Sequence, residues 1–171
     1  MLKFQSYIMK GVKVKKRINL STDLNKWVST VFCLRTITTK DITGEPALEG
    51  VHSDGVEHTM TTFLYSKNMT ENSAISQVHY KEQKTGIPWN KTNPKFVKSE
   101  IQHKHFLDTL MIIDNELKHS VSNVKSFDKN IDSIRDMLIF FTRRPKESDH
   151  PSQQYDTLKQ HNEIPLKITL L

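Results

Sequence analysis

The chain has one cysteine, Cys33, and only five glycines among its 171 residues. A single thiol permits no internal disulfide and no cysteine-based zinc site, so a reducing, intracellular setting is expected, nucleus or cytoplasm ahead of mitochondrion. So few glycines are poor stock for a phosphate-cradling loop, and no P-loop, GxGxxG or GxSxG pattern occurs. No apolar run approaches the roughly 20 residues of a membrane span, and the N-terminus lacks the apolar centre of a secretory signal, so no membrane partner is expected. The glycosylation-like triplets at Asn19, Asn68 and Asn90 are therefore taken as chance. The longest absence lies between Pro94 and Pro145, where there is neither proline nor glycine.

Within that stretch apolar side chains fall alternately four and three apart: Phe106, Leu110, Ile113, Leu117, then Val124, Phe127, Ile131, Ile134, Leu138 and Phe141. This is a heptad seam with one polar interruption at Ser120, and it predicts an amphipathic helix whose stripe another polypeptide must cover. Asn93 and Pro94 supply a cap and a first helical residue. The weak helix formers Ser120 to Asn123 leave a helical hairpin open, but the unbroken heptad phase favours one rod of roughly 70 Å at 1.5 Å per residue. Leu107, Met111, Ile112, Met137, Ile139 and Phe140 widen the stripe at both ends, which suggests docking there on a head domain or on other helices. The predicted architecture is α+β: a β-rich head over 1–92, a long heptad-patterned helix over 93–144, and a linker, short helix and terminal strand over 145–171.

Charge is distributed unevenly. The net charge is +6, and Lys3, Lys10, Lys13, Lys15, Lys16 and Arg17 precede the first acid, Asp23; without those six, 19 basic residues face 19 acidic ones. The arm Lys10, Lys13, Lys15, Lys16 and Arg17 is thus a candidate nucleic-acid contact, made through phosphates without sequence readout. A solvated edge strand protected by lysines is the plainer reading of the same residues.

In the head, Leu2 to Ile8 and Val12 to Ile18 read as short strands, though the first fits an irregular turn of helix almost as well, and a short helix after Ser21 feeds a strand over Thr30–Thr39. Asp41 to Gly55 is loop chemistry. Thr59–Tyr65 and Ala74–Tyr80 read as strands forming a hairpin, with Trp89 as a plug over the core. Leu166, Ile168 and Leu170 alternate as a last strand.

At the end of that loop and just beyond it, His52, Asp54, Glu57 and His58 lie within seven residues and offer the imidazole and carboxylate groups of a zinc or manganese site. The spacing matches no helix-based motif, and an ordinary solvated loop is the plainer reading. His103 and His105, two apart on a helix, would point away from each other. Cys33 reads as core. The function expected is a non-enzymatic scaffold or adaptor, without a cofactor, joined to other subunits or to itself through the helix. The alternatives are a nucleic-acid-associated protein using its basic arm, and a small metal-dependent hydrolase.

Overall fold

The computed structural model describes residues 3–5, 7 and 27–146. The chain divides into two compact units, residues 1–28 with 143–171, and residues 29–142. In the first, the Arg144 guanidinium lies 3.7 Å from the centroid of the Trp27 ring, a cation–π contact. The basic arm, the expected short helix near 155–161 and the terminal strand lie outside the described residues. Residues 3–5 and 7 are helical, the alternative to the strand that the pattern favours there.

The second unit is built almost entirely from strands: β1 (Val28–Thr38), β2 (His58–Lys67), β3 (Ser76–Tyr80), β4 (Val97–Ile101), β5 (Thr109–Ile113), β6 (Leu117–Val121) and β7 (Ser133–Arg143). One sheet has the order β1-β7-β2-β5, the other β4-β3-β6, and together they make a jelly roll. Neighbours in sequence are thus often apart in space. The two central strands β2 and β3, predicted to pair as a hairpin, lie in different sheets.

The long helix does not exist. The stretch from 106 to 141 forms β5, β6 and most of β7, with a turn at residues 114–116. Physical reasons are legible in the residues. Leu110 to Ile113 and Met137 to Phe141 are continuous apolar runs, the mark of strands covered on both faces, and the extra residues that seemed to widen the stripe belong to them. Turns need neither proline nor glycine here. Asp114-Asn115-Glu116 makes one, and Asp128 makes another by accepting the Asn130 amide on its side chain at 2.9 Å, as Asx residues do.

A three-residue step that holds a stripe on a helix swaps faces on a strand. The proposed seam is accordingly scattered. Val124 is fully buried; Leu110, Ile113, Leu117, Ile134, Leu138 and Phe141 are half-buried in strands; Phe106, Phe127 and Ile131 are exposed, Phe127 to 83%. Asn93 does cap, its Oδ1 accepting from Lys95 N at 3.0 Å, but the 3-10 turn Pro94–Phe96 runs at once into β4. The strand expected over Thr30–Thr39 is β1.

The core between the sheets gathers Val51, Met60, Phe63, Val78, Ile112, Val124, Met137 and Phe140, each under a tenth exposed. Beside β7, β1 is held by Arg35, whose Nε and one terminal nitrogen each donate to Asp136 carboxylate oxygens at 2.7 Å. That contact is largely solvated and adds specificity of register more than stability.

Burial separates two phenylalanines of the former stripe region. Phe140→Ala should cost about 3 to 5 kcal/mol and Phe127→Ala no more than about 0.5, measured by urea unfolding. A helical seam covered by a partner requires Phe127 to matter as well.

Candidate metal centre

The segment entering β2 and the strand β6 meet at a single antiparallel bridge, His52 opposite His119. Each backbone amide donates to the other's carbonyl at 2.9 Å. Directly paired residues project to the same face, and the two imidazole rings lie with centroids 4.3 Å apart. In extended chain, residue i+2 returns to the face of residue i, which brings Asp54 to the same place. His52 Nε2 lies 3.5 Å from Asp54 Oδ1, and His119 Nε2 lies 3.6 Å from Asp54 Oδ2. Ligand atoms of the three residues all fall within 4.8 Å of one another.

A buried carboxylate fixes the loop that carries Asp54. Asp114, fully buried in the turn between β5 and β6, accepts the amides of Asp54 and Gly55 at 2.8 Å and that of Val56 at 3.1 Å. Lys81 adds a brace, its Nζ donating to Asp114 O at 2.6 Å and to Ser53 Oγ at 2.7 Å. Thr59 donates a short hydrogen bond to Asp54 Oδ2. His52 Nδ1 lies 2.8 Å from the Gly50 carbonyl. A carbonyl only accepts, so Nδ1 carries a proton, and Nε2 is left as the ring nitrogen that faces Asp54 and can take either a proton or a metal.

Electrostatics agree with a site made for a cation. Burial works against charge on His52, but Asp54, the Gly50 carbonyl and Glu49 outweigh it and raise its pKa. Burial likewise works to raise Asp54, yet His52, His119 and Thr59 together hold its pKa below the usual carboxylate range. His119 is pushed down by burial first and by His52 second. Two imidazoles and one carboxylate leave coordination positions open, the pattern of non-haem iron(II) oxygenases. The donor set fits such a metal, with His52 Nε2 already oriented by its bond to Gly50.

A second feature lies farther along the same interior. Arg135 on β7 is 4% exposed, and burial alone lowers its pKa to about 10. Among the described residues no carboxylate pairs with it. Its charge is felt by His103, whose pKa falls through burial first and Arg135 second. His103 Nε2 lies 3.3 Å from Thr61 Oγ1, and Thr61 shares its face of β2 with Thr59, the partner of Asp54. Polar groups thus run from Asp54 toward a buried, unpaired cation.

Of the four loop residues weighed as metal ligands, the structure unites His52 and Asp54. Glu57 and His58 are buried where the loop enters β2: the Glu57 amide donates to Thr142 O at 3.1 Å, and His58 pairs in register with Ile113 and Thr142. Sequence reasoning missed His119 and Arg135, both hidden inside the stretch read as helix. The available signal was His-x-Asp followed by a histidine within a β-compatible run.

Comparison with known proteins agrees with this geometry. Residues 1–141 match the family model described as 2OG-Fe dioxygenase. Over 166 residues the chain is 43% identical to the bifunctional enzyme flvA of Aspergillus flavus, covering 97% of this chain and 20% of that protein. The structure of the Fe(II)/α-ketoglutarate-dependent dioxygenase TqaL superposes with a TM-score of 0.87 at 44% identity, over 99% of this chain and 60% of TqaL. IDO from Bacillus thuringiensis shares the fold, with a TM-score of 0.64 at 13% identity over 85% of this chain and 59% of that one. The chain therefore spans a fifth of flvA and three fifths of TqaL. These matches overturn the reading of a non-enzymatic, coiled-coil scaffold, and with it the expectation that the chain is no enzyme.

Asp114→Ala removes the shared acceptor of three loop amides, of which that of Val56 is buried, and should cost about 2 kcal/mol or more in urea unfolding and weaken Mn(II) binding by calorimetry roughly 10- to 100-fold. A second expectation concerns acid. Burial and His119 lower the pKa of the fully buried His79 to about 4. The unfolded chain then binds a proton that the folded one refuses. Stability should fall by roughly 1 to 3 kcal/mol as pH drops from about 6.5 to 4, and His79→Gln should flatten that slope by about one proton.

Proposed function

The chain belongs to the 2OG-Fe dioxygenase family, and we propose that it is an oxygenase unit that holds iron(II) on His52, Asp54 and His119 and binds 2-oxoglutarate with Arg135. The observation that carries this reading is the meeting of two imidazoles and one carboxylate within 4.8 Å, at one end of a polar interior whose other landmark is a guanidinium with no carboxylate partner among the described residues. When bound, the metal and 2-oxoglutarate supply the oxidising chemistry, in which dioxygen is consumed and 2-oxoglutarate leaves as succinate and carbon dioxide.

The protein's own residues do the arranging. Asp54 and His119 are presented from a loop and a strand that hydrogen-bond to each other across the His52–His119 bridge, so the three donors move as one piece. Thr59 occupies one oxygen of Asp54 and thereby orients the carboxylate. Arg135 offers a planar fork suited to a carboxylate, and a buried cation without a partner is costly unless an anion completes it. A bound dicarboxylate would supply the anion that Arg135 lacks among the described residues. Thr61 and His103, half-buried and buried along the same face, line the way between Asp54 and Arg135.

Purified protein given iron(II), 2-oxoglutarate, oxygen and ascorbate, the last supplying the electrons that a substrate otherwise would, should form succinate. His52→Ala, Asp54→Ala and His119→Ala should each reduce that formation at least 100-fold, whereas Arg135→Met should raise the half-saturating 2-oxoglutarate concentration at least tenfold while Mn(II) affinity stays within about twofold. Succinate formation that survives His119→Ala, or that no metal supports, would refute the reading.

A further inference from the structure

Loop residues 45–50 and 86–90 enclose a cavity of about 270 Å³ that shares a wall with the metal centre. Gly50 lines it, and the Gly50 carbonyl is the partner of His52 Nδ1. Glu49 lines it as well, and Glu49 Oε1 lies 3.6 Å from His52 Nε2. The two loops are fixed against each other: Val51 N donates to Ile87 O and Gly86 N to Val51 O, both at 2.8 Å. Gly50 makes the approach possible, since its φ is +72° and a Cβ there would sit 2.3 Å from Ile87 O.

The lining has one sign of charge. Glu45 and Glu49 contribute carboxylates, while Leu48, Pro88 and Trp89 contribute apolar surface, and among the described residues no lysine, arginine or histidine takes part. Trp89, expected from sequence to plug the core, is half-buried and forms part of this wall. It is held in place by Nε1 donating to Asn123 Oδ1 at 3.3 Å, and Asn123 Nδ2 in turn donates to Glu45 Oε1 at 3.4 Å. Lys125 lies 5.8 Å from the Trp89 ring centroid but is not part of the lining. In a chain of net charge +6, a concave site with two acids, an indole and no base selects for a cation of small size.

We propose that this cavity is the substrate subsite and that it takes the ammonium group of a small aliphatic amine. Glu49 is the principal counter-charge, Glu45 the second, and Trp89, Leu48 and Pro88 cover the hydrocarbon portion. The assignment of the cavity to substrate rests on the oxygenase reading above. Glu49 is then a specificity-determining residue: it holds the amine against the loop whose next turn presents His52, so the hydrocarbon lies beside the metal centre.

The chain has two tryptophans, so Trp27→Phe leaves Trp89 as the reporter. Titration of that variant with n-pentylammonium chloride should change Trp89 fluorescence saturably, with n-pentanol binding at least tenfold more weakly. Glu49 is exposed and Glu49→Gln should preserve the fold, as circular dichroism will verify. It should weaken pentylammonium at least tenfold and leave pentanol unchanged, with Glu45→Gln acting in the same direction. Equal binding of the alcohol, unaltered affinity in Glu49→Gln, or no saturable response to the ammonium would overturn the subsite. Succinate formation measured on the same protein separates the two ideas. Turnover without ammonium binding sinks the subsite alone, and ammonium binding without turnover sinks the oxygenase reading while the cation site stands.

Discussion

The arrangement depends on one buried carboxylate. Asp114 gathers three consecutive amides from a loop that has no regular structure of its own, and a buried carboxylate is itself tolerable only when such donors meet it. Because Asp114 sits in the turn between β5 and β6, the loop is tied to the strand that carries His119. The three candidate ligands therefore come from two segments distant in sequence that share one hydrogen-bonded frame. Lys81 reaches the same turn and Ser53, so the space between His52 and Asp54 is braced as well.

Such a frame has a thermodynamic cost, and the interior shows where it falls. Thr59, Thr62, His79, Ser120 and Arg135 are buried alongside the apolar core. Most of these polar groups find neighbours: Thr62 meets Thr109 at 3.0 Å and His79 meets Ser120 at 2.9 Å. Arg135 is different. A sheet interior selected for stability alone would place an aliphatic residue between Ser133 and Met137, since desolvating a guanidinium without a counter-ion loses several kcal/mol. Retaining the charge makes sense where a bound anion repays the loss, and binding then stabilises the fold by mass action.

How much of this could be read from the residues follows from which periodicities were ambiguous. The strand over Thr30–Thr39 was legible because β-branched residues dominate it. The His52–Asp54 pair was visible too, but the wrong companions were attached to it: Glu57 and His58 were nearest in sequence, whereas the third donor lies 65 positions beyond Asp54, reachable only through sheet topology. The helix was an error of period. Steps of four and three between apolar residues fit a helical stripe, yet the same steps arise when two-faced buried strands are joined by short turns, because almost every position in such strands is apolar. Asx residues at 114, 115, 128 and 130 were the turn signals, and in the absence of glycine and proline they carried too little weight. Arg135 was unreadable for the same reason: on a solvated helix an arginine is unremarkable, and only burial makes it a question.

The same geometry explains why the metal centre and the neighbouring cavity form one unit. His52 is bonded through Nδ1 to Gly50, Gly50 is pressed against Ile87 so closely that no side chain fits between them, and Ile87 is followed at once by Pro88 and Trp89. Anything seated against Trp89 and Glu49 thus touches a chain of three contacts that ends on a metal ligand. A ligand that orders the 45–50 loop would also narrow the freedom of the His52 ring, and tighter metal retention would favour the ordered loop in return, since coupling between two binding events is reciprocal. The shape of the cavity and the orientation of His52 are here consequences of one close backbone approach, made at a position where the chain can hold only glycine.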